Sequence, residues 1–145
     1  MIRLIAVPLV IVLCAAGCST SENVSTDPNT QIEYGELFVL EQGSSTVLDG
    51  QTLRFDGVAG DSRCPANTTC VWEGVAQVHL SLVDDDRAIP IQLEIPGLVE
   101  EETEPQDSQT ITAGGYVFTI HALNPYPGAD DDGAVRVTLS VRSTP

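Results

Sequence analysis

Four cysteines carry the most reactive side chains of this chain, and their positions separate them into two groups. Cys14 and Cys18 lie in an apolar N-terminal segment, whereas Cys64 and Cys70 are separated by five residues in the middle of the chain. A thiol can be acylated, can pair in a disulfide, or can bind a metal as the thiolate. The reaction that occurs depends on the cellular compartment, which the N-terminal segment predicts.

Residues 1–17 have the organisation of an export signal. Arg3 supplies a positive charge, an apolar run extends from Leu4 to Ala16, and small residues precede Cys18. The apolar run is shorter than the roughly 20 residues that a membrane-spanning helix requires. We therefore predict a signal peptide over residues 1–17 that is removed before Cys18.

The segment Ala15-Ala16-Gly17-Cys18 resembles a bacterial lipobox, in which the final cysteine receives a diacylglyceryl group. The resemblance implies lipidation of Cys18 and attachment to the membrane through this lipid. Ser19 stands where Asp would retain a lipoprotein at the inner membrane, so a bacterium with two membranes is expected to sort the chain to the outer one. Residues 18–31, polar after Cys18, predict a flexible tether, and residues 32–145 predict a single domain outside the cytoplasm.

Cys64 and Cys70 are the thiols left once the signal is removed and Cys18 is lipidated. In an oxidising compartment two cysteines this close most often pair, so we predict a Cys64–Cys70 disulfide. One alternative is a Cys₂His₂ metal site with His79 and His121, although the cysteine spacing is not that of a zinc finger. The other is a redox pair, which the absence of Cys-x-x-Cys disfavours.

Two acidic runs, Asp84–Asp86 and Asp130–Asp132, are the remaining candidates for ion binding. Consecutive carboxylates in an extended loop point apart, whereas Ca²⁺ needs six to eight converging oxygens. These runs therefore predict solvated turns, with a weak calcium site as the alternative. The sequence has no Gly-x-Ser-x-Gly element, no lysine and only two histidines. We accordingly predict no enzyme, no cofactor and no bound metal.

The net charge of −15 limits the class of partner. An acidic surface repels phosphate backbones, so nucleic-acid binding is not expected. The same charge would attract a basic protein.

Apolar and polar residues alternate with a period of two through most of residues 32–142, which is typical of strands with one buried face. The pattern places strands at roughly 33–40, 51–58, 76–83, 89–95, 109–112, 116–121 and 135–142. Turn residues separate them, and Ser44-Ser45 is interpreted as part of a turn. We predict an all-β domain, an antiparallel β-sandwich or small barrel of seven to eight strands.

Around the central cysteines the chain reads Asp61-Ser62-Arg63-Cys64-Pro65 and then Cys70-Val71-Trp72-Glu73-Gly74. This pattern resembles a family of uncharacterised small bacterial lipoproteins that share Asp-Ser-Arg-Cys-Pro, a short loop and Cys-x-Trp-x-Gly before a strand. A later Asn124-Pro125-Tyr126-Pro127 turn extends the likeness, which is close over residues 61–80 and loose over residues 32–142. The resemblance implies the envelope address and the disulfide, and it assigns no activity.

Three residues are candidates for a binding surface: Arg63, Trp72 and Tyr126. We expect Trp72 to pack over the disulfide as core, and the alternative is a recognition surface shared with Tyr126. We expect Arg63 to pair locally with Asp61, and the alternative is contact with an anionic ligand. The predicted function is a non-enzymatic binding or envelope-structural role. The alternatives are inhibition of a basic enzyme, such as a lysozyme or protease, and calcium-dependent adhesion.

Overall fold

The alternating segments form eight antiparallel strands in a computed structural model that describes residues 32–85, 87–97, 109–131 and 133–145. The predicted signal peptide, Cys18 and the tether lie outside these residues. The strands are β1 (Leu37–Glu41), β2 (Ser45–Leu48), β3 (Gln51–Asp61), β4 (Val75–Asp84), β5 (Arg87–Pro96), β6 (Thr110–Ala113), β7 (Tyr116–Asn124) and β8 (Arg136–Ser143). Among the described residues, no helix has the length and apolar character needed to cross a membrane.

The strands pair into two four-stranded sheets with the orders β1-β8-β7-β6 and β2-β3-β4-β5. Neither sheet closes on itself, and the arrangement is consistent with a β-sandwich rather than a small barrel. The all-β prediction is therefore confirmed. One prediction was wrong, because Ser45 begins β2 and pairs with Arg54 instead of belonging to a turn. That strand has only four residues, too few to display a clear period.

The core lies between the sheets, where alternate residues are buried along much of the long strands. Phe55, Leu80 and Leu93 contribute from one sheet, and Phe118 and Leu139 from the other. Burying an apolar side chain of this size stabilises the fold by roughly 1.5–3 kcal/mol. The core fills the space between the sheets, and the loops at the two ends of the strands form two separate surfaces.

The direction of β3 defines those two ends. It begins at Gln51, beside the turn at Asp49-Gly50, and reaches Asp61 roughly 30 Å away. We name the first end the tyrosine end, because Tyr34, Asp49 and Tyr116 meet there. The opposite end, which carries Asp61 and residues 62–74 and 124–131, is named the disulfide end.

The chain enters the domain and leaves it at the tyrosine end. Near the start, the amide of Gly35 donates to the carbonyl of Val141 at 2.9 Å. Near the C-terminus, the amide of Thr144 donates to the carbonyl of Gly115, also at 2.9 Å. Any segment that precedes residue 32 is therefore joined to the domain at the end opposite the disulfide.

Candidate functional site

The predicted disulfide is present and closes a small loop at the disulfide end. Cys64 and Cys70 are bonded to each other, with their Cα atoms 5.9 Å apart. The Cys₂His₂ alternative is thereby ruled out, because both sulfurs are occupied and the two histidines lie on different sheets. His79 is on β4, whereas His121 is on β7 and shares a 2.8 Å hydrogen bond with Ser140. Partial burial lowers the pKa of His121.

Arg63 lies inside the disulfide end and connects the end of β3 to the end of β7 and the turn that follows it. Its Nε and Nη2 donate to the two carboxylate oxygens of Asp61 at 2.9 and 2.7 Å. Nη1 donates to the carbonyl of Leu123 at 2.9 Å, and Nη2 also reaches the carbonyl of Pro125 at 3.4 Å. A planar guanidinium suits this task, because its fixed fork can meet a carboxylate and further acceptors at the same time.

The local pairing of Arg63 with Asp61 is confirmed, and its assignment to a binding surface was wrong. Arg63 is only 4% exposed, so the guanidinium faces the loops and not the solvent. It also lies 4.7 Å from the centroid of the half-buried Tyr126 ring, within the range of a cation–π interaction. Arg63 therefore supports the surface at this end from below.

The ion pair is coupled to pH through Asp61. Burial raises the pKa of the Asp61 carboxyl, but the hydrogen bonds and charge of Arg63 outweigh that effect and hold the pKa below its ordinary value. A carboxyl with a lowered folded-state pKa stabilises the fold above the unfolded value of about 3.9. That stabilisation is lost as the pH falls through the folded-state pKa.

Ser62 and Gly74 join the two halves of the Asp-Ser-Arg-Cys-Pro and Cys-x-Trp-x-Gly pattern. The amide of Ser62 donates to the carbonyl of Val75 at 2.9 Å, and the Ser62 hydroxyl accepts from the amide of Val75 at 3.1 Å. Gly74 has a φ of +69°, and a Cβ there would lie 1.9 Å from the carbonyl oxygen of Ser62. Only glycine permits this close approach of the backbones.

The loop after β7 packs against the disulfide loop. The amide of Ala66 donates to the carbonyl of Pro127 at 2.9 Å, and the side-chain amide of Asn67 donates to the carbonyl of Gly128 at the same distance. The peptide bond between Asn124 and Pro125 is cis. These contacts place the Pro-Tyr-Pro turn of the sequence directly beside the cysteines.

Val71 and Trp72 form an exposed pair that we name the apolar tip. Val71 is 97% exposed and Trp72 is 74% exposed. The prediction that Trp72 packs as core over the disulfide was wrong, because most of its side chain lies in solvent. The structure also places Tyr126 against Arg63, so Tyr126 and Trp72 occupy different settings at this end.

The backbone on both sides of the apolar tip is held in place. Before it, Cys70 is bonded to Cys64, and after it, the carbonyl of Glu73 accepts from the amide of Cys64 at 2.8 Å. The carbonyl of Gly74 then accepts from the amide of Gly97 at 3.1 Å. The tip is therefore presented by a short segment that is anchored at each side.

The acidic runs are only partly described. Within the described ranges, no group of three or more histidine, cysteine or acidic side chains is arranged to hold a metal ion. Asp131 instead accepts from the amide of Gly133 at 2.9 Å and pairs with Arg136 at 3.3 Å. Asp86 and Asp132 lie outside the described residues.

A second polar cluster, at the tyrosine end, was not anticipated from the sequence. The hydroxyls of Tyr34 and Tyr116 both donate to the Asp49 carboxylate, the latter at 3.2 Å, and their rings stack at 6.4 Å. The hydrogen bond to Asp49 and partial burial raise the pKa of Tyr34 to about 12. Burial and then the same carboxylate raise the pKa of Tyr116. No local signal joins these residues, which are far apart in sequence.

Val71 was also missed, although a signal for it was available. It lies beside Trp72 in a short segment with turn residues on both sides and no strand period. Two large apolar residues in such a segment are candidates for an exposed pair as much as for core.

No family profile, curated protein or solved structure matches the chain in comparisons with known proteins.

Proposed function

We propose that this chain is a lipid-anchored lipoprotein of the bacterial envelope whose β-sandwich binds another molecule through the apolar tip and catalyses no reaction. The exposure of Val71 and Trp72 on an anchored segment carries the proposal. Large exposed apolar side chains held in a fixed place are typical of recognition surfaces. The reactive side chains near them, those of Asp61, Arg63 and the two cysteines, hold the loops of this end in place.

The division of labour within the central sequence pattern supports this role. Asp61, Arg63 and Cys64 are engaged in an ion pair, a buried guanidinium and a disulfide, and Gly74 permits a close backbone contact. These four positions have a structural explanation. Trp72 has a side chain that is mostly in solvent, so packing does not explain the choice of a large aromatic residue there.

The position of the tip agrees with attachment at the other end. Lipidation of Cys18 would tether the domain through residues 19–31, which join it at the tyrosine end. The apolar tip would then face away from the membrane, where a partner in the periplasm or outside the cell can reach it. The lipobox, Ser19 and the resemblance to small lipoproteins support this address and an outer-membrane location in a bacterium with two membranes.

The anchor is tested by expressing the full chain and a Cys18→Ser variant in a bacterium. We expect the wild-type chain in the membrane fraction, with a diacylglyceryl-modified N-terminal peptide by mass spectrometry. The variant should keep its signal peptide or leave the lipid-modified pool. An unmodified Cys18 in a processed, membrane-free chain would overturn the anchor.

The binding role is tested by photo-cross-linking of the full chain in cells. A photoreactive amino acid replaces Trp72 in one variant and Val47 in a control, since Val47 is also an exposed apolar side chain but lies on β2 next to the tyrosine end. We expect a discrete adduct from position 72 and none from position 47. Equal labelling at both positions, or none at position 72, would contradict a recognition role of the tip.

A further inference from the structure

We propose that the apolar tip docks onto a basic protein surface, with Trp72 in an apolar pocket bordered by lysine or arginine side chains. This inference rests on the proposed binding role and names the class of partner. It follows from the balance of charges around the tip and not from the exposure of Trp72 alone.

The cationic groups described at the disulfide end are already paired. Arg63 is bonded to Asp61, and Arg136 is paired with Asp131. Glu73, next to Trp72, and Asp130, in the loop that packs on the disulfide loop, are exposed, and no ion pair involves them among the described residues. The end that carries the apolar tip is thus left with uncompensated negative charge, in a chain whose net charge is −15.

This combination selects among the surfaces that could cover the tip. An anionic bilayer surface would gain the insertion of Trp72 but would be repelled by the carboxylates. A second copy of the chain would bring two acidic ends together, which opposes self-association through the tip. A cationic protein satisfies both features, because its charges steer the encounter and its pocket desolvates Trp72.

The anchoring of the tip favours direct docking. The disulfide and the two backbone hydrogen bonds hold the backbone of residues 70–74, so less backbone entropy is lost when a partner binds than for an unrestrained loop. An exposed tryptophan held in this way is a suitable hot spot, and neighbouring carboxylates at the rim then tune the rate of association and its salt dependence.

The test is selection of a displayed library of random peptides on the full chain purified in detergent, in parallel with its Trp72→Ala variant and a Val47→Ala control. We expect the wild-type chain and the control to enrich peptides that combine an apolar segment with several lysines or arginines. Affinity of one such peptide should fall at least about tenfold in Trp72→Ala, as for a hot-spot residue. It should fall by about threefold in Glu73→Gln, as for a charge at the rim.

Salt provides the second measurement. Between about 0.01 M and 1 M salt the Debye length shrinks from about 30 Å to about 3 Å, so affinity of the selected peptide should decrease steeply. Enrichment of neutral or acidic peptides that still depends on Trp72 would overturn the basic partner and leave the binding role intact. Enrichment independent of Trp72, or no enrichment, would overturn both. Tip-dependent association with anionic vesicles, or tip-dependent dimerisation by sedimentation, would replace the basic protein by a membrane or a second copy.

Discussion

The two ends of the sandwich hold their loops and connecting segments in place with different chemistry. At the tyrosine end, two hydroxyls share the carboxylate of Asp49 and two rings stack, so that the incoming chain is held by aromatic surface and hydrogen bonds. At the disulfide end, a buried guanidinium and a covalent bond hold the loops. Among the described residues, the second end carries the two most exposed large apolar side chains, Val71 and Trp72.

This difference shows how a small domain can expose an apolar pair without losing order. Val71 and Trp72 contribute little to packing, so the segment that carries them needs other constraints. The disulfide supplies such a constraint within the loop, and the guanidinium of Arg63 supplies another by hydrogen bonds to Asp61 and to the carbonyl of Leu123. At the tyrosine end the Tyr116 ring is itself part of the packing, and the partly exposed Tyr34 ring stacks against it.

Replacement of Arg63 by Ala should produce the largest loss of stability. It would remove the donors to Leu123 and Pro125 and leave the Asp61 carboxylate without its partner, at a cost of about 3 kcal/mol in the free energy of unfolding. Urea denaturation measures this. The control is Arg54→Ala, which removes an exposed pair with Asp56 and should cost no more than about 0.5 kcal/mol. Equal effects of the two variants would show that the disulfide end does not depend on its buried guanidinium.

Removal of the disulfide should have the next largest effect. The Cys64→Ser/Cys70→Ser variant should lose about 2 kcal/mol, the value expected for a loop of this length from the entropy of the unfolded chain. Amide hydrogen exchange should increase at the disulfide end and remain unchanged near Tyr116. Uniform loss of protection at both ends would show that the disulfide does not act mainly on the disulfide end.

Asp49→Asn sharpens the comparison from the tyrosine end. Because the folded-state pKa of Tyr34 is raised to about 12, this tyrosine stabilises the wild-type fold below pH 10, and that contribution is lost as the pH rises through about 12. Removal of the carboxylate charge should lower the pKa of Tyr34 and of Tyr116, and the loss of stability should begin at lower pH. Asn is chosen because it tolerates the positive φ of position 49.

Tyrosine ring-carbon NMR over an alkaline titration measures these pKa values residue by residue. The control is Asp56→Asn, which removes an exposed carboxylate on β3. That carboxylate accepts a hydrogen bond from Ser81 on β4 and is not a partner of either tyrosine. An unchanged Tyr34 titration in Asp49→Asn would show that the shared carboxylate is not what raises its pKa.

Trp72→Ala should have the smallest effect on folding. Its side chain is mostly in solvent, so the free energy of unfolding should change by no more than about 0.5 kcal/mol. Since Trp72 is the single tryptophan of the chain, its fluorescence reports on this setting directly. We expect emission close to that of tryptophan in water and ready quenching by acrylamide. A blue-shifted, poorly quenched emission would indicate a core position.

Much of the fold could be predicted from local features of the sequence. The period of two marked seven of the eight strands, and β2 escaped because four residues show too little of a period. The prediction for Trp72 failed for a different reason. A large aromatic residue is usually buried, but burial depends on whether its segment folds back over the core, which no local pattern determines.

The contacts of the candidate site also differ in how well the sequence predicts them. The Asp61–Arg63 pair and the Cys64–Cys70 bond join residues that are two and six positions apart, so their short connection makes these contacts easy to form and to predict. The bond from Arg63 to the carbonyl of Leu123 spans 60 positions, and the Tyr116–Asp49 bond spans 67. Such partners depend on which strands become neighbours.

The sequence by itself determined the strand-forming segments, the disulfide and the local ion pair, because each follows from a short-range period or spacing. Only the tertiary structure decided that Arg63 is buried, that three distant residues meet at the tyrosine end, and that Val71 and Trp72 remain in solvent. The physical reason is that burial depends on contacts between segments remote in sequence, and the packing of two sheets selects those contacts.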